Sequence, residues 1–427
     1  MSDVVLRRAA QRFGTPLYLY DFDVIERQVV RLRRALGPRF EIAFAVKANP
    51  SLAVLKFLFG RGLGADVASR GELLAARRAG CPPSRILSTG PAKSDADLEA
   101  LVRSGVSQIH VEGEWEMEAL DAVARKLGRR VRVGLRLNPP WGIAEKKTII
   151  GGSGANKFGF DLPNAERVLR KSQERGAFPH LEVCGFQVFN ASNVLEASLF
   201  VDNTARVLSL ALSLSKKHAV PLRSVDFGGG FGVPYVDGEK ALDLEILRTG
   251  LEAIARRAAD EPRLRGTRLV FEPGRFLVAE GGTYVVRVLG TKSSRGVPYV
   301  LTDGGIHHFL RPVLFETPHR VRLLRKGDGR RPMTSSPSKK SLVVSGPLCT
   351  SIDVLHPAVH LPVPSRGDLL CFGNAGAYGY TESMPLFLSH EWPAEVGLRK
   401  GRLAALRRPP AVRWLLRNQA TPRWLTA

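Results

Sequence analysis

Between residues 40 and 275 the chain alternates strand and helix eight times. Apolar, β-branched runs stand at 40–48 (FEIAFAVKA), 64–69 (GADVAS), 85–90 (RILSTG), 108–113 (QIHVEG), 131–137 (VRVGLRL), 181–189 (LEVCGFQVF), 224–230 (SVDFGGG) and 267–275 (TRLVFEPGR). Amphipathic stretches such as GELLAARRAG and DADLEALVRSG lie between them. A nearly continuous apolar run is a strand buried on both faces, as parallel strands covered by helices are. Eight such units in about 250 residues fit a (β/α)8 TIM barrel, with an open doubly wound sheet as the alternative.

After residue 275 the period changes. Short alternating segments appear (GTYVVRVLGTK, VPYVLTDGG, KSLVVSGPL, GDLLCFGNAG) and predict a C-terminal antiparallel β-sheet domain, which TPLYLYD near the N-terminus would join. The expected division is a barrel over 24–275, a β domain from 1–23 plus 276–398, and a basic tail over 399–427.

The 427 residues carry 63 Lys and Arg against 40 Asp and Glu, a net charge of +23. Two places concentrate it: 319–340, which reads as a mobile loop, and the tail after Glu395, with eight basic residues and no acid. Such a balance suits an anionic partner. Zinc-finger and RRM signatures are missing, so nucleic acid is not expected. No apolar run of about 18 residues predicts a membrane span. The start has no signal-peptide pattern. Cys81, Cys184, Cys349 and Cys371 are far apart, which suggests neither a zinc site nor a disulfide framework and fits the cytoplasm. Cys81, Cys184 and Cys371 read as structural, and His307 and His308 as loop or strand-end residues.

Chemistry in such a barrel collects where strands end. Those ends are Lys47 in FAVKANPS, Asp66, Arg136, Phe189, the glycines 228–230, and Glu272 with Arg275. Lysine is seldom buried unless paired or reactive. DFGGGFG fails the dinucleotide fingerprint because Val233 stands where the last glycine would be. Its glycines can still bring backbone amides close to an anion, and the arginine of EPGR offers a charge-assisted grip on phosphate. A lysine for a Schiff base, a phosphate cradle and a carboxylate for a ring nitrogen together suggest pyridoxal 5'-phosphate.

The motifs FAVKAN, GADVASRGEL, KFGF, DFGGGFG, EPGR, GPLCTSID and GNAGAYG, in this order over residues 14–396, resemble the fold-type III pyridoxal-phosphate decarboxylases. That group includes the ornithine, arginine and diaminopimelate enzymes and has an alanine racemase-like architecture. The resemblance implies that Lys47 forms the internal aldimine, that Glu272 pairs with the pyridine nitrogen, and that Ser192, Gly229, Gly230, Gly274 and Arg275 hold the phosphate. It implies that Asp66 and Arg136 order the site, that Glu72 lies near the cofactor, and that Tyr378 contacts the cofactor from the β domain. Cys349 and Asp353 would come from the other subunit of a homodimer, with Cys349 protonating the quinonoid carbon after carbon dioxide leaves. Arg311 would hold a substrate carboxylate. No metal is implied.

Two departures bear on substrate. Phe189 occupies the stacking place that a histidine fills in most of the family. Thr350 follows the cysteine where diamine-type enzymes place an acid. A buried ammonium facing threonine would be costly, which disfavours free diaminopimelate, lysine and ornithine. Phe315 also replaces a tyrosine of the diaminopimelate enzymes. These features, with FLSHEWPAEV, resemble the branch containing the butirosin-type glutamyl–carrier-protein decarboxylase and exosortase-associated decarboxylases. An acidic carrier protein is then the expected partner. The alternatives are a diaminopimelate decarboxylase acting on the free amino acid, a racemase, and a non-catalytic homologue that regulates a partner.

Overall fold

A computed structural model describes residues 1–142, 156–326, 339–410 and 412–425. Two compact units emerge: Glu26–Pro234 with Lys240–Val278, and Met1–Ile25 with Tyr235–Glu239 and Ala279–Ala427.

Strand β1 (Leu17–Asp21) belongs to the second of these units. The next eight strands are β2 (Phe40–Ala45), β3 (Gly64–Val67), β4 (Ile86–Ser88), β5 (Gln108–Val111), β6 (Val131–Leu137), β7 (Leu181–Val188), β8 (Ser224–Asp226) and β9 (Arg268–Phe271). All pair in parallel, and β2 pairs both β3 and β9, so the sheet closes into the expected barrel. The apolar runs are buried because helices cover the outer face while side chains fill the inside. Phe40, Phe227 and Phe271 pack together there, with Phe227 and Phe271 centroids 5.1 Å apart. The interior also carries polar side chains: the Ser224 hydroxyl donates to Gln108 Oε1. Gly134 and Gly185 make room for them, since a Cβ on either would stand 2.5 Å from Gln108 Nε2.

The covering helices are capped as their sequences indicate. The Ser69 hydroxyl caps helix Arg70–Arg78, and Ser94 with Asp97 forms a capping box on helix Asp95–Ser104.

The other unit is one nine-stranded sheet of β1, β10 (Gly282–Ser294), β11 (Val297–Thr302), β12 (Val321–Leu324), β13 (Lys340–Ser345), β14 (Val354–Leu361), β15 (Leu369–Phe372), β16 (Ala394–Arg399) and β17 (Arg402–Arg407). TPLYLYD does join it: β1 lies between β10, antiparallel, and β16, parallel. The sheet is therefore mixed rather than purely antiparallel, with β11–β13 a second parallel pair.

Two sequence expectations change here. Arg402–Arg407 is an edge strand, not tail: it pairs with β16, buries Leu403, and its half-buried Arg407 donates to the buried Glu395 at 2.7 Å. The loop expected over 319–340 begins with a buried His319 and strand β12, and Lys340 starts β13; 327–338 lie outside the described residues. His307 and His308 lie on the turn after β11, as expected of loop residues, and are buried there with ring centroids 3.7 Å apart. Cys81, Cys184 and Cys371 are buried and free, and burial raises their thiols to about 11, 12 and 12. No helix among the described residues is long and apolar enough to cross a membrane.

Candidate active site

Strand β2 ends in one 3₁₀ turn, Val46–Ala48, which carries Lys47 out of an otherwise buried run. Its Nζ lies 3.7 Å from Asp66 Oδ2 at the end of β3 and 5.6 Å from the centroid of Phe189 just beyond β7. Asp66 also accepts the Thr89 hydroxyl. Glu72 turns back to accept the Ala68 amide at 2.7 Å, and burial raises its carboxyl.

The glycine turn after β8 is set by close approach. A Cβ on Gly229 would stand 2.5 Å from the Glu272 carbonyl oxygen, and one on Gly228 would stand 2.7 Å from the Phe189 ring. Gly228 and Gly230 also have φ of +66° and +103°, a region that favours glycine. The Gly230 carbonyl accepts the Val194 amide at 2.8 Å, which stitches the segment bearing Ser192 onto this turn. Gly274 passes so close to the β2 end that a Cβ would meet that of Ala48 at 2.8 Å. The next residue, Arg275, opens a short helix. Lysine, phenylalanine ring, glycine turn and EPGR arginine thus share one mouth of the barrel.

Glu272 lies deeper. Its Oε2 accepts from Gln187 Nε2 at 3.3 Å, while Oε1 is buried with no hydrogen-bond partner. Burial, then the charges of Asp226 and Asp66, push its carboxyl well up, and Lys47 pulls the other way. Asp226 is raised too, chiefly by burial. His110 is driven down to about 3 by burial and stays neutral. Ligating atoms of His110, Asp226 and Glu272 fall within 4.8 Å of one another, a spacing that suits a cation. A buried carboxyl oxygen lacking a donor equally suits a protonated ring nitrogen. With the lysine and the glycine turn alongside, this donor set fits pyridoxal phosphate.

Arg136, at the end of β6, is held by a residue the sequence reading missed. Arg136 Nη1 donates to Glu112 Oε1 at 2.8 Å, and Glu112 also accepts the Gly90 and Gly159 amides at 3.1 and 3.0 Å. Behind it Lys93 donates to the Gly90 and His110 carbonyls and to Glu116 Oε1, all at 2.7–2.8 Å, with both side chains at most 3 % exposed. The signal lay in EWEMEAL, where Glu116 shares the buried helix face of Leu120 and Ala124.

In the sheet unit, Cys349 is exposed on the turn between β13 and β14, beside a half-buried Thr350. Asp353 is buried, and its oxygens accept the Ile306 and Leu348 amides at 2.8 Å each. Gly305 and Gly346 must lack a Cβ, which would meet this carboxylate at 2.4 and 2.5 Å. Through these two amides Asp353 clamps the Cys349 turn against the segment at Ile306. Arg311 and Tyr378 do come together, with the guanidinium 4.7 Å from the tyrosine centroid. Tyr378 has φ of +53°, a conformation sparsely used outside glycine.

Residues 22–279 match the family described as pyridoxal-dependent decarboxylase, pyridoxal binding domain. The chain is 33% identical over 405 residues to the L-glutamyl-[BtrI acyl-carrier protein] decarboxylase of Niallia circulans, covering 93% of this chain and 92% of the relative. It is 35% identical over 396 residues to the diaminopimelate decarboxylase of Deinococcus radiodurans, covering 93% of each. The crystal structure of diaminopimelate decarboxylase from Helicobacter pylori complexed with L-lysine superposes with a TM-score of 0.85 at 28% identity, covering 96% of this chain and 98% of that one.

Proposed function

The chain belongs to the pyridoxal-dependent decarboxylases, and from that premise we propose that it removes the α-carboxylate of an amino acid whose far end is a neutral thioester on a carrier protein. Pyridoxal-phosphate-dependent decarboxylation of an amino acid is the family's chemistry. When bound, the cofactor supplies the electron sink for the pair left behind as carbon dioxide departs.

In this reading Lys47 holds the cofactor through its amine, with Asp66 3.7 Å away to balance the charge. Phe189 supports the ring by its flat face and, having no polar atom, neither charges it nor bonds to it. Ser192, Gly229, Gly230, Gly274 and Arg275 take the phosphate. Glu272 meets the ring nitrogen with the oxygen that has no other donor. Arg136, fixed by Glu112, orders the neighbouring rim. Cys349, exposed in the single chain, returns a proton to the α-carbon of a substrate held by a second copy in a homodimer. Its turn is kept in place by the Asp353 clamp.

Thr350 is the observation that carries the substrate assignment. It places a neutral hydroxyl beside Cys349, so a substrate with a distal ammonium would leave that charge unpaired. The relative acting on a glutamyl carrier protein supports the same reading, and a net charge of +23 favours docking of an acidic carrier. The test is carbon dioxide release from the cofactor-loaded protein. The panel sets free diaminopimelate, lysine, ornithine and glutamate beside glutamyl-carrier protein. Turnover confined to the tethered substrate is expected. Fast turnover of free diaminopimelate would replace this reading with the diaminopimelate one, which the second relative favours.

A further inference from the structure

Arg311 is the cation that the family resemblance assigns to a substrate carboxylate. Its surroundings have already answered that charge. The side chain is 9 % exposed, and Nη1 donates to Glu382 Oε2 at 2.8 Å. The guanidinium carbon lies 4.5 Å from the Phe315 centroid and 4.7 Å from that of Tyr378. Packing against two rings fixes the plane of the guanidinium, so what it bonds in that plane decides what else it can hold.

The pair is preset by the backbone. Glu382 closes the 3₁₀ turn Tyr380–Glu382. The next residue, Ser383, donates its hydroxyl to the Gly379 carbonyl at 2.8 Å and accepts the Leu310 amide at 3.1 Å. Leu310 precedes Arg311 in the chain, so one hydroxyl ties the backbone carrying the acid to the backbone carrying the base. Two flexible side chains held this way lose little further freedom in pairing, unlike an ordinary surface ion pair.

We propose that Glu382 is a specificity-determining residue: it neutralises Arg311 and so excludes substrates whose distal end is a free carboxylate, leaving room for a distal ester, thioester or amide. This deepens the carrier-tethered reading and rests on it. A second carboxylate brought to this pair would meet the charge of Glu382 before it met an available guanidinium N–H. A thioester carbonyl is uncharged and escapes that repulsion.

The test separates this inference from the function it rests on by measuring binding as well as turnover. Glutarate, a dicarboxylate with no amine to react, is titrated calorimetrically into the cofactor-loaded wild type, Glu382→Gln and Glu382→Asp. Glu382→Gln is expected to bind glutarate at least tenfold more tightly than wild type. Glu382→Asp keeps the charge and is expected to stay within threefold of wild type. In turnover, the ratio of kcat/KM for free glutamate to that for its γ-methyl ester should rise at least tenfold in Glu382→Gln. Glutarate affinity unchanged or weakened in Glu382→Gln overturns the inference. If Glu382→Gln does not fold, Glu382→Asp binding glutarate tenfold more tightly than wild type overturns it as well. A wild type that binds glutarate well but still turns over only tethered substrate would sink this inference and spare the proposed function. Weak glutarate binding relieved in Glu382→Gln, with no turnover of any tethered substrate, would do the reverse.

Discussion

Replacing Glu272 with glutamine keeps the shape of a 5 % exposed side chain and removes its charge. In the protein without cofactor that carboxyl is raised above its usual 4.5 by burial and by two neighbouring acids. A group raised on folding holds a proton that the unfolded chain releases. Its contribution is therefore fully present below about pH 4.5 and is lost as pH rises through the folded value. The loss runs at up to about 1.4 kcal/mol per pH unit while that group is protonated only in the folded state. Glutamine has no proton to release, so it removes this slope. Urea unfolding of cofactor-free protein at several pH values above 5 should then show a stability that declines less steeply in Glu272→Gln than in wild type. The same variant should lose catalysis, because the ring nitrogen no longer faces a carboxylate; a drop in kcat of about 10²–10³ is the scale for removing one such electrostatic partner. Equal pH slopes would refute the buried-acid account. A kcat within threefold of wild type would refute the assignment of Glu272 to the ring nitrogen.

Gly229→Ala places a Cβ 2.5 Å from the Glu272 carbonyl oxygen, so the turn must move; at about 1–3 kcal/mol, cofactor affinity measured by absorbance titration should fall roughly 10–100-fold. Asp353→Asn turns an amide N–H₂ toward one of two backbone donors. It should cost about 1–3 kcal/mol in urea unfolding and lower kcat by displacing Cys349. Lys93→Met leaves Glu116 buried without its cation and should cost about 3–5 kcal/mol, whereas Lys93→Met with Glu116→Leu should recover most of that in thermal unfolding.

The barrel was legible because its strands are apolar, short and punctuated, and because a strand that ends in lysine or in EPGR marks its own functional end. The sheet unit was legible by strand but not by pairing. Nothing in TPLYLYD says that it will lie parallel to AEVGLR, since no local period encodes a partner hundreds of residues away. Buried polar side chains were the harder class. Lys93 in PAKSDADL reads as a solvated loop cation, and only the converging carbonyls and Glu116 show why it is inside. Asp353 was found through GPLCTSID, but its hold on the Ile306 and Leu348 amides has no signature in that motif. Glu382 gave no signal in TESMP, because its meaning comes wholly from Arg311.

The place of β1 in its sheet has a consequence for synthesis. The barrel strands occupy one continuous stretch from Phe40 to Phe271 and can close as soon as that stretch has left the ribosome. The LYLYD segment emerges before any of them, yet one of its two partner strands begins at Ala394. At about 5–20 residues per second, roughly 20–75 s pass between the two. Through that interval one edge of an apolar strand stays open on the nascent chain, a template at which slowed translation would turn into aggregation.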